Sequence, residues 1–369
     1  MRTASTTSSA RQPDQAPQNV VLGLLLTVLP FFSSAPVAAQ QAPPLGTAAT
    51  FAVLGGSTVT NSGPSAITGD VGVWPGLAMT GFPPATVTGT IHAGDAIAAQ
   101  AQADTTIAYN ALAGAACNTN LTGQDLGGLT LVGGVYCFST SAQLTGTVTL
   151  NGSGNPNSVF IFQIGTTLTT ASGSSVNLVN GAEACKVFWQ VGSSATLGST
   201  TAFAGTIIAL ASITMVGGAT LQGRALARNG ATTLDTNAIQ FPSMAEWHNY
   251  GFGWPGTFGI PSFVLSAPPV IGTTVNLVVQ NTYVVPTYGL LLWGGGPVVI
   301  PTAFGGSLMA QPLLSWPQPL ALGLQVIPMA IPLDPALVCF GFNLQILVYD
   351  KGASHFAAFT RGLHIEIGL

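Results

Sequence analysis

Charge is what this chain has least of: only 5% of its 369 residues are Asp, Glu, Lys or Arg, and the net charge is −4. With no basic cluster anywhere, recognition of nucleic acid or of an anionic membrane surface is excluded as a partner class. Catalytic side chains are equally sparse. Between residues 45 and 240 the acids are Asp70, Asp95, Asp104, Asp125, Glu183 and Asp235, and the sole histidine is His92. Their dispersion along the chain argues against the grouped carboxylates of a solenoid lyase or hydrolase, and a single histidine argues against a triad. Gly133-Gly134 and Gly217-Gly218 lack the lysine and following helix of a phosphate-binding loop. The four cysteines fit no zinc spacing. No enzyme activity, metal or cofactor is therefore expected. Although mean hydropathy is +0.52, no apolar run after residue 40 is long enough to span a bilayer.

Glycine (46) and proline (25) are abundant instead. The amino terminus stands apart: Arg2 and Arg11 precede the apolar run Val20 to Phe32, and Val37-Ala38-Ala39 supplies small residues of the kind a signal peptidase accepts. Residues 1–39 read as a secretory leader cleaved after Ala39, with an uncleaved membrane anchor as the alternative, and residues 40–44 as a linker. In an exported chain the four cysteines allow two disulfides. Pairing Cys117 with Cys137 closes a short loop, but sequence does not fix the pairing.

From Leu45 to about Gln240 two short patterns recur. One is centred on glycine, at Gly69, Gly89, Gly146, Gly205 and Gly223; the other is centred on threonine, at Thr60, Thr149, Thr169, Thr196, Thr214 and Thr233. A period of 18 to 20 residues made of strands and turns alone fits one coil of a β-solenoid whose stacked coils bury a column of Ile, Leu, Val and Phe. One stretch departs from it. Ala93 to Ala113 is rich in Ala and Gln and free of Pro, with Asp95 as N-cap and Gly114 as C-cap. This predicts a helix over about 95–113, with Ile97, Ala101, Asp104, Ala108 and Leu112 at helical spacing and Ile107 and Tyr109 adding apolar surface, and with its small-residue face lying along the solenoid. Residues 241–250 read as a junction. Beyond Gly251, six apolar runs separated by Pro and Gly, at 275–279, 290–292, 298–300, 324–326, 344–348 and 363–367, predict an antiparallel β-sandwich over 251–369.

Alternation points the short side chains of the solenoid outward, and stacking places equivalent positions about 4.8 Å apart. Ser65, Thr86, Gln143, Ala202 and Thr220, each close ahead of an apolar residue of the glycine-centred pattern, read as one such column, and Ser62, Ser172, Ser175, Ser199 and Asn229 as neighbours of it. Such an array of methyls and hydroxyls can hold water in an ordered layer.

Several stretches carry a family resemblance: Leu45 to Val73, Gly81 to Asn110, Leu121 to Gly146, Ser158 to Val176, Cys185 to Gly198, and QGRALARNGATTLD at Gln222 to Asp235. In this order they resemble the microbial ice-binding (antifreeze) protein family. The resemblance implies a right-handed β-helix of triangular section with one long helix alongside, and adsorption to the surface of an ice crystal through a flat face. A Thr-Gly-x-Thr-like comparison matches Ser62 to Ser65, Ser172 to Ser175, Gly217 to Thr220 and Asn229 to Thr232, which adds Thr232 to the candidates. Residues 251–281 and 331–368 resemble a β-rich carboxy-terminal module of secreted environmental-bacterial proteins, a match that carries no known chemistry; contact with a cell surface or polymer is the partner class left open to this domain. The expectation is a secreted ice-binding protein. A structural or adhesive surface module is the alternative.

Overall fold

The computed structural model describes residues 41–155, 157–240, 245–283, 285–334 and 337–368. The expected leader and the first part of the expected junction, 241–244, lie outside these residues.

Residues 51–240 coil into a β-solenoid with parallel strands on three walls. One coil shows the plan: Leu168–Thr170 on one wall, Ser175–Val179 on the next, Val187–Val191 on the third, then Ala195–Leu197 back on the first. The first wall is called the open sheet here, the second the side wall and the third the helix-covered wall. Residues alternate inward and outward, as the period-two pattern requires. The inward ones form a dry interior in which Tyr136, Phe162 and Trp189 stack from coil to coil, with Phe162 and Trp189 ring centres 3.8 Å apart. The Trp189 indole donates to the Ala204 carbonyl at 2.9 Å, so its polar edge is satisfied in the core.

The glycine-centred pattern marks the corner between side wall and helix-covered wall. Gly205 pairs with Gly223, and a Cβ added at Gly223 would lie 1.9 Å from the Gly205 carbonyl oxygen. Backbones stack there too closely for any side chain. Gly146 shares the sequence pattern but turns a different corner, between open sheet and side wall, at φ 86°.

Coil order along the stack is not chain order. The first strands stack beyond the last coil, with Val53 opposite Ala225, Val59 opposite Thr232 and Ala66 opposite Ala238. Helix α1, Ala96–Ala113, then runs back along the helix-covered wall. Its 18 residues span about 27 Å and return the chain to where the next coils begin. Asp95 caps it, accepting from the Ala98 N–H at 2.9 Å, and Gly114 ends it. The small-residue face lies along the solenoid as expected: Ala98, Ala101, Thr105, Ala108, Tyr109 and Leu112 pack inward, while Ile97 and Ile107, expected to add to the apolar surface, are 52% and 57% exposed. Small residues there let the helix lie close against Phe51, Leu54, Ile208 and Leu226.

The C-terminal part is antiparallel. Glu246–Tyr250, Gly362–Glu366, Gly341–Tyr349, Thr287–Gly294 and Leu314–Leu320 form one sheet, which faces a three-stranded sheet of Phe263–Leu265, Thr274–Asn281 and Gly323–Ala330. Val279, Leu277 and Phe263 meet Leu344, Ile346 and Ile365 in a common core, which makes this a β-sandwich. Residues 246–250, expected in the junction, form a strand of it because Trp247 pairs with Ile365. Cys117 and Cys137 are disulfide-bonded. Cys339 sits just ahead of the strand Gly341–Tyr349.

Candidate functional site

The open sheet comprises seven parallel strands in the order Ala142–Leu144, Leu168–Thr170, Ala195–Leu197, Ile213–Met215, Thr232–Asp235, Thr58–Ser62 and Ala78–Thr80. One outward residue of each strand lines up with the next, and register brings these residues into one file: Gln143, Thr169, Thr196, Thr214, Thr233, Thr60 and Thr80. Six consecutive members are threonine. In this file Gln143, Thr169, Thr233 and Thr80 are exposed and the other three half-buried. Thr60 and Thr233 approach within 3.3 Å, hydroxyl to hydroxyl. A second file runs beside it. Ser141, Thr167, Ser194, Ser212 and Ala231 precede their strands and Thr58 begins its own, and the ladder bonds Ala142 N–H to Thr167, Leu168 N–H to Ser194, Ala195 N–H to Ser212 and Ile213 N–H to Ala231 keep the file in step. Neither file contains a charge. Along each file the spacing is about 4.8 Å, and between files about 6.6 Å, two residues of strand. β-Branching restricts each threonine at χ1. Methyls and hydroxyls are thereby fixed on a lattice set by the backbone.

The residues singled out from sequence divide among several places. Gln143 ends the threonine file, and Ser62 lies at its edge, opposite Asp235. Ser172 and Ser199 sit at the corner between open sheet and side wall, 2.8 Å apart. Asn229 is exposed at the corner between helix-covered wall and open sheet. Ser175, Ala202, Thr220 and Thr86 share a file on the side wall with Ala238 and Ala66. Ser175 is hydrogen-bonded there to Thr147 at 2.7 Å.

Two of them are corrected. Ser65 is 1% exposed and points inward, donating to Asn61 Oδ1 and accepting from the Asn237 N–H. It stands one residue from Ala66, the true member of the side-wall file, and a one-residue slip reverses the face. Thr232 is fully buried and donates to the Leu54 carbonyl at 2.9 Å. The expected column of Ser65, Thr86, Gln143, Ala202 and Thr220 is thus not one column. The threonines that do align, Thr60, Thr169, Thr196, Thr214 and Thr233, belong to the threonine-centred pattern of the sequence and not to the expected column, and Thr80 lies outside both. The side wall is also less regular than the open sheet: Ala202, Ala204, Thr220, Gln222, Ala238 and Gln240 line a depression of about 470 Å³.

Acidic groups stay dispersed over the solenoid, each with a local partner. Asp70 accepts from the Thr90 N–H, and Asp125 from Gly127 and Thr145. His92, nearly buried, lies 2.7 Å from Asp95 and packs on Phe51. The Ala98 N–H and His92 hold the Asp95 carboxyl below its ordinary range. One gathering escaped sequence reasoning because its members come from distant parts of the chain. Glu183 and Cys185 of the solenoid meet Cys339, His364 and Glu366 of the sandwich. Burial first, and then the adjoining Glu366 carboxylate, push Glu183 up to about 10.

This contact falls at the corner between side wall and helix-covered wall, across the triangular section from the open sheet. Asn157 reinforces it, donating to the Gly295 carbonyl at 2.7 Å.

Comparison with known proteins places the solenoid. A family model described as Ice-binding-like matches residues 53–240. An ice-binding protein of Nostoc sp. (strain HG1) is 61% identical over 196 residues, covering 53% of this chain and 72% of that protein. Ice-binding protein 1 of Shewanella frigidimarina is 37% identical over 232 residues, covering 54% of this chain and 26% of the relative. Among solved structures, an ice-binding protein from an Antarctic biological consortium superposes with a TM-score of 0.54 at 47% identity, covering 58% of this chain and 95% of that one. One from Antarctomyces psychrotrophicus gives 0.53 at 42% identity, covering 54% and 98%.

Proposed function

The chain belongs to the ice-binding-like family, and from that premise we propose that it adsorbs to ice through the open sheet, with the two Ser/Thr files as the contact surface. The observation that carries this reading is the unbroken register of Thr169, Thr196, Thr214, Thr233, Thr60 and Thr80. Water held against a fixed array of methyls and hydroxyls adopts the spacing of that array. No charged side chain within the files reorients that layer. Bound molecules then pin the crystal front, which must curve between them, and growth or recrystallisation slows.

No reacting group is needed for this, and none is assigned: the protein acts without cofactor and not as an enzyme. It acts outside the cell, with residues 1–39 as its leader. The solenoid, residues 45–240, carries adsorption, while the sandwich docks at the opposite corner and leaves the open sheet uncovered. A second reading uses the side wall, where Thr86, Ser175, Ala202 and Thr220 are in register; the depression beside Ala202 and Thr220 counts against it.

Ice-affinity partition tests the proposal. The full chain should concentrate in slowly grown ice, and Thr196→Tyr, which lifts one threonine out of the plane, should stay in the liquid with unchanged thermal unfolding. Exclusion of the unaltered chain from ice would sink the reading.

A further inference from the structure

Where solenoid and sandwich meet, metal-binding side chains converge from three segments. Glu183 and Cys185 flank the start of the short turn Ala184–Lys186, Cys339 precedes the strand Gly341–Tyr349, and His364 and Glu366 lie in Gly362–Glu366. The two thiol sulfurs and a Glu366 oxygen lie within 4.8 Å of one another, as do ligand atoms of Glu183, His364 and Glu366. Glu366 belongs to both groups. Its Oε1 accepts from the Cys185 thiol at 3.1 Å across 181 residues of chain.

Convergence alone does not make a metal site, but the polar atoms left over here are informative. His364 Nδ1 lies 3.1 Å from Asn343 Oδ1, which makes Nδ1 the donor and Nε2 the lone pair. That is how a ligating histidine is oriented by its outer partner. His364 is 1% exposed and Glu366 7%, yet neither Nε2 of the one nor Oε2 of the other has a hydrogen-bond partner. A buried lone pair and a buried carboxylate oxygen, both unpaired, are costly in a folded protein unless something positive meets them. Of the neighbouring cations, Lys186 donates to the Cys339 carbonyl, while Arg224 donates to the Ala49 carbonyl and the Thr206 hydroxyl and lies beside the Cys339 thiol, which leaves His364 Nε2 and Glu366 Oε2 without a hydrogen-bond donor.

We propose that this cluster is a structural site for one zinc-type divalent cation, with Cys185, Cys339, His364 and Glu366 as ligands and Glu183 holding Glu366 from outside. Two sulfurs, one imidazole and one carboxylate suit a borderline-soft tetrahedral ion and not calcium or magnesium. Two thiolates on one such ion stand about 3.8 Å apart at ordinary zinc–sulfur lengths, within the observed limit. Binding releases the two thiol protons to solvent and involves no redox change. Four protein ligands complete the coordination, so the ion ties the sandwich to the solenoid corner without offering a catalytic position. This inference is independent of how the open sheet acts.

The test uses the full chain with its Cys117–Cys137 disulfide closed. After equilibration with Zn²⁺ and gel filtration it should retain about one zinc per chain by plasma mass spectrometry. With Co²⁺ instead it should show thiolate-to-cobalt charge-transfer absorption. Cys339→Ser should remove much of that absorption and weaken zinc binding by at least about a hundredfold, the upper end of what loss of a mere outer partner does. His364→Gln should weaken binding while keeping the thiolate band. Far-ultraviolet circular dichroism of both variants reports that the solenoid remains folded. The unaltered chain decides the matter even if a variant misfolds: no retained zinc and no thiolate band overturns the proposal, and so does a Cys185–Cys339 disulfide found by peptide mapping.

Discussion

A threonine on the open sheet does two things at once that serine, alanine or glutamine do separately: its methyl excludes water, its hydroxyl holds water, and β-branching fixes both in direction. Gln143, at the end of the file, has the polar group but a long mobile stem. The same residue type serves a different purpose one position away. Thr232 adjoins Thr233 but is buried, and its hydroxyl satisfies the Leu54 carbonyl. Thr232→Val, which removes that hydrogen bond, should destabilise the chain by about 0.5–1.5 kcal/mol in denaturant unfolding while leaving ice partition intact. Parity along the strand was the part of the site least legible in sequence. Ser65 and Thr232 carry suitable side chains, and nothing in their immediate neighbours reveals that they face inward. The recurrence of Thr196, Thr214 and Thr233 at intervals of 18 and 19 carried the information, because equal spacing in a solenoid means one wall and one parity.

Elements were more legible than faces. The start and end of α1 follow from Asp95 and Gly114, whose capping bonds are both formed. Its buried side follows from side-chain size and not from hydrophobicity, since the close approach to the helix-covered wall selects Ala98, Ala101 and Ala108 over Ile97 and Ile107. The Asp95 carboxylate joins the helix N-terminus to His92, and the Ala98 N–H, followed by His92, lowers its pKa. A carboxyl lowered in the folded state contributes stability above its unfolded value, near 3.8, and loses it as pH falls through the folded value. Asp95→Ala should therefore lower Tm at neutral pH, and the gap from the unaltered chain should close as pH drops below the carboxylate range. A gap independent of pH in calorimetry would contradict this account. Strands at 314–320 and 246–250 had no apolar alternation to announce them: Leu314–Leu320 contains two prolines and lies mostly exposed.

At the scale of the whole molecule the chain doubles back on itself. Its first coils stack beyond its last, α1 returns along one wall, and the sandwich meets the corner across from the open sheet. None of this is local in sequence: the pairing of Val53 with Ala225 joins positions far apart in the chain, and the meeting of Cys185 with Glu366 depends on both modules being built. The periodicity announced a solenoid, but the order of its coils and the position of its partner module are properties of packing. The consequence is a molecule with one wall under a helix, one corner under a sandwich, and one sheet with two uncharged Ser/Thr files left to solvent. The central claim is that this sheet meets ice, and a paired substitution tests it most directly. Thr214→Tyr on the open sheet and Thr220→Tyr on the side wall place the same bulk on the same coil in two directions. Thermal hysteresis measured at equal concentration should be largely abolished by Thr214→Tyr and retained by Thr220→Tyr. The reverse pattern, with Thr220→Tyr inactive and Thr214→Tyr active, would contradict the account and move the ice face to the side wall.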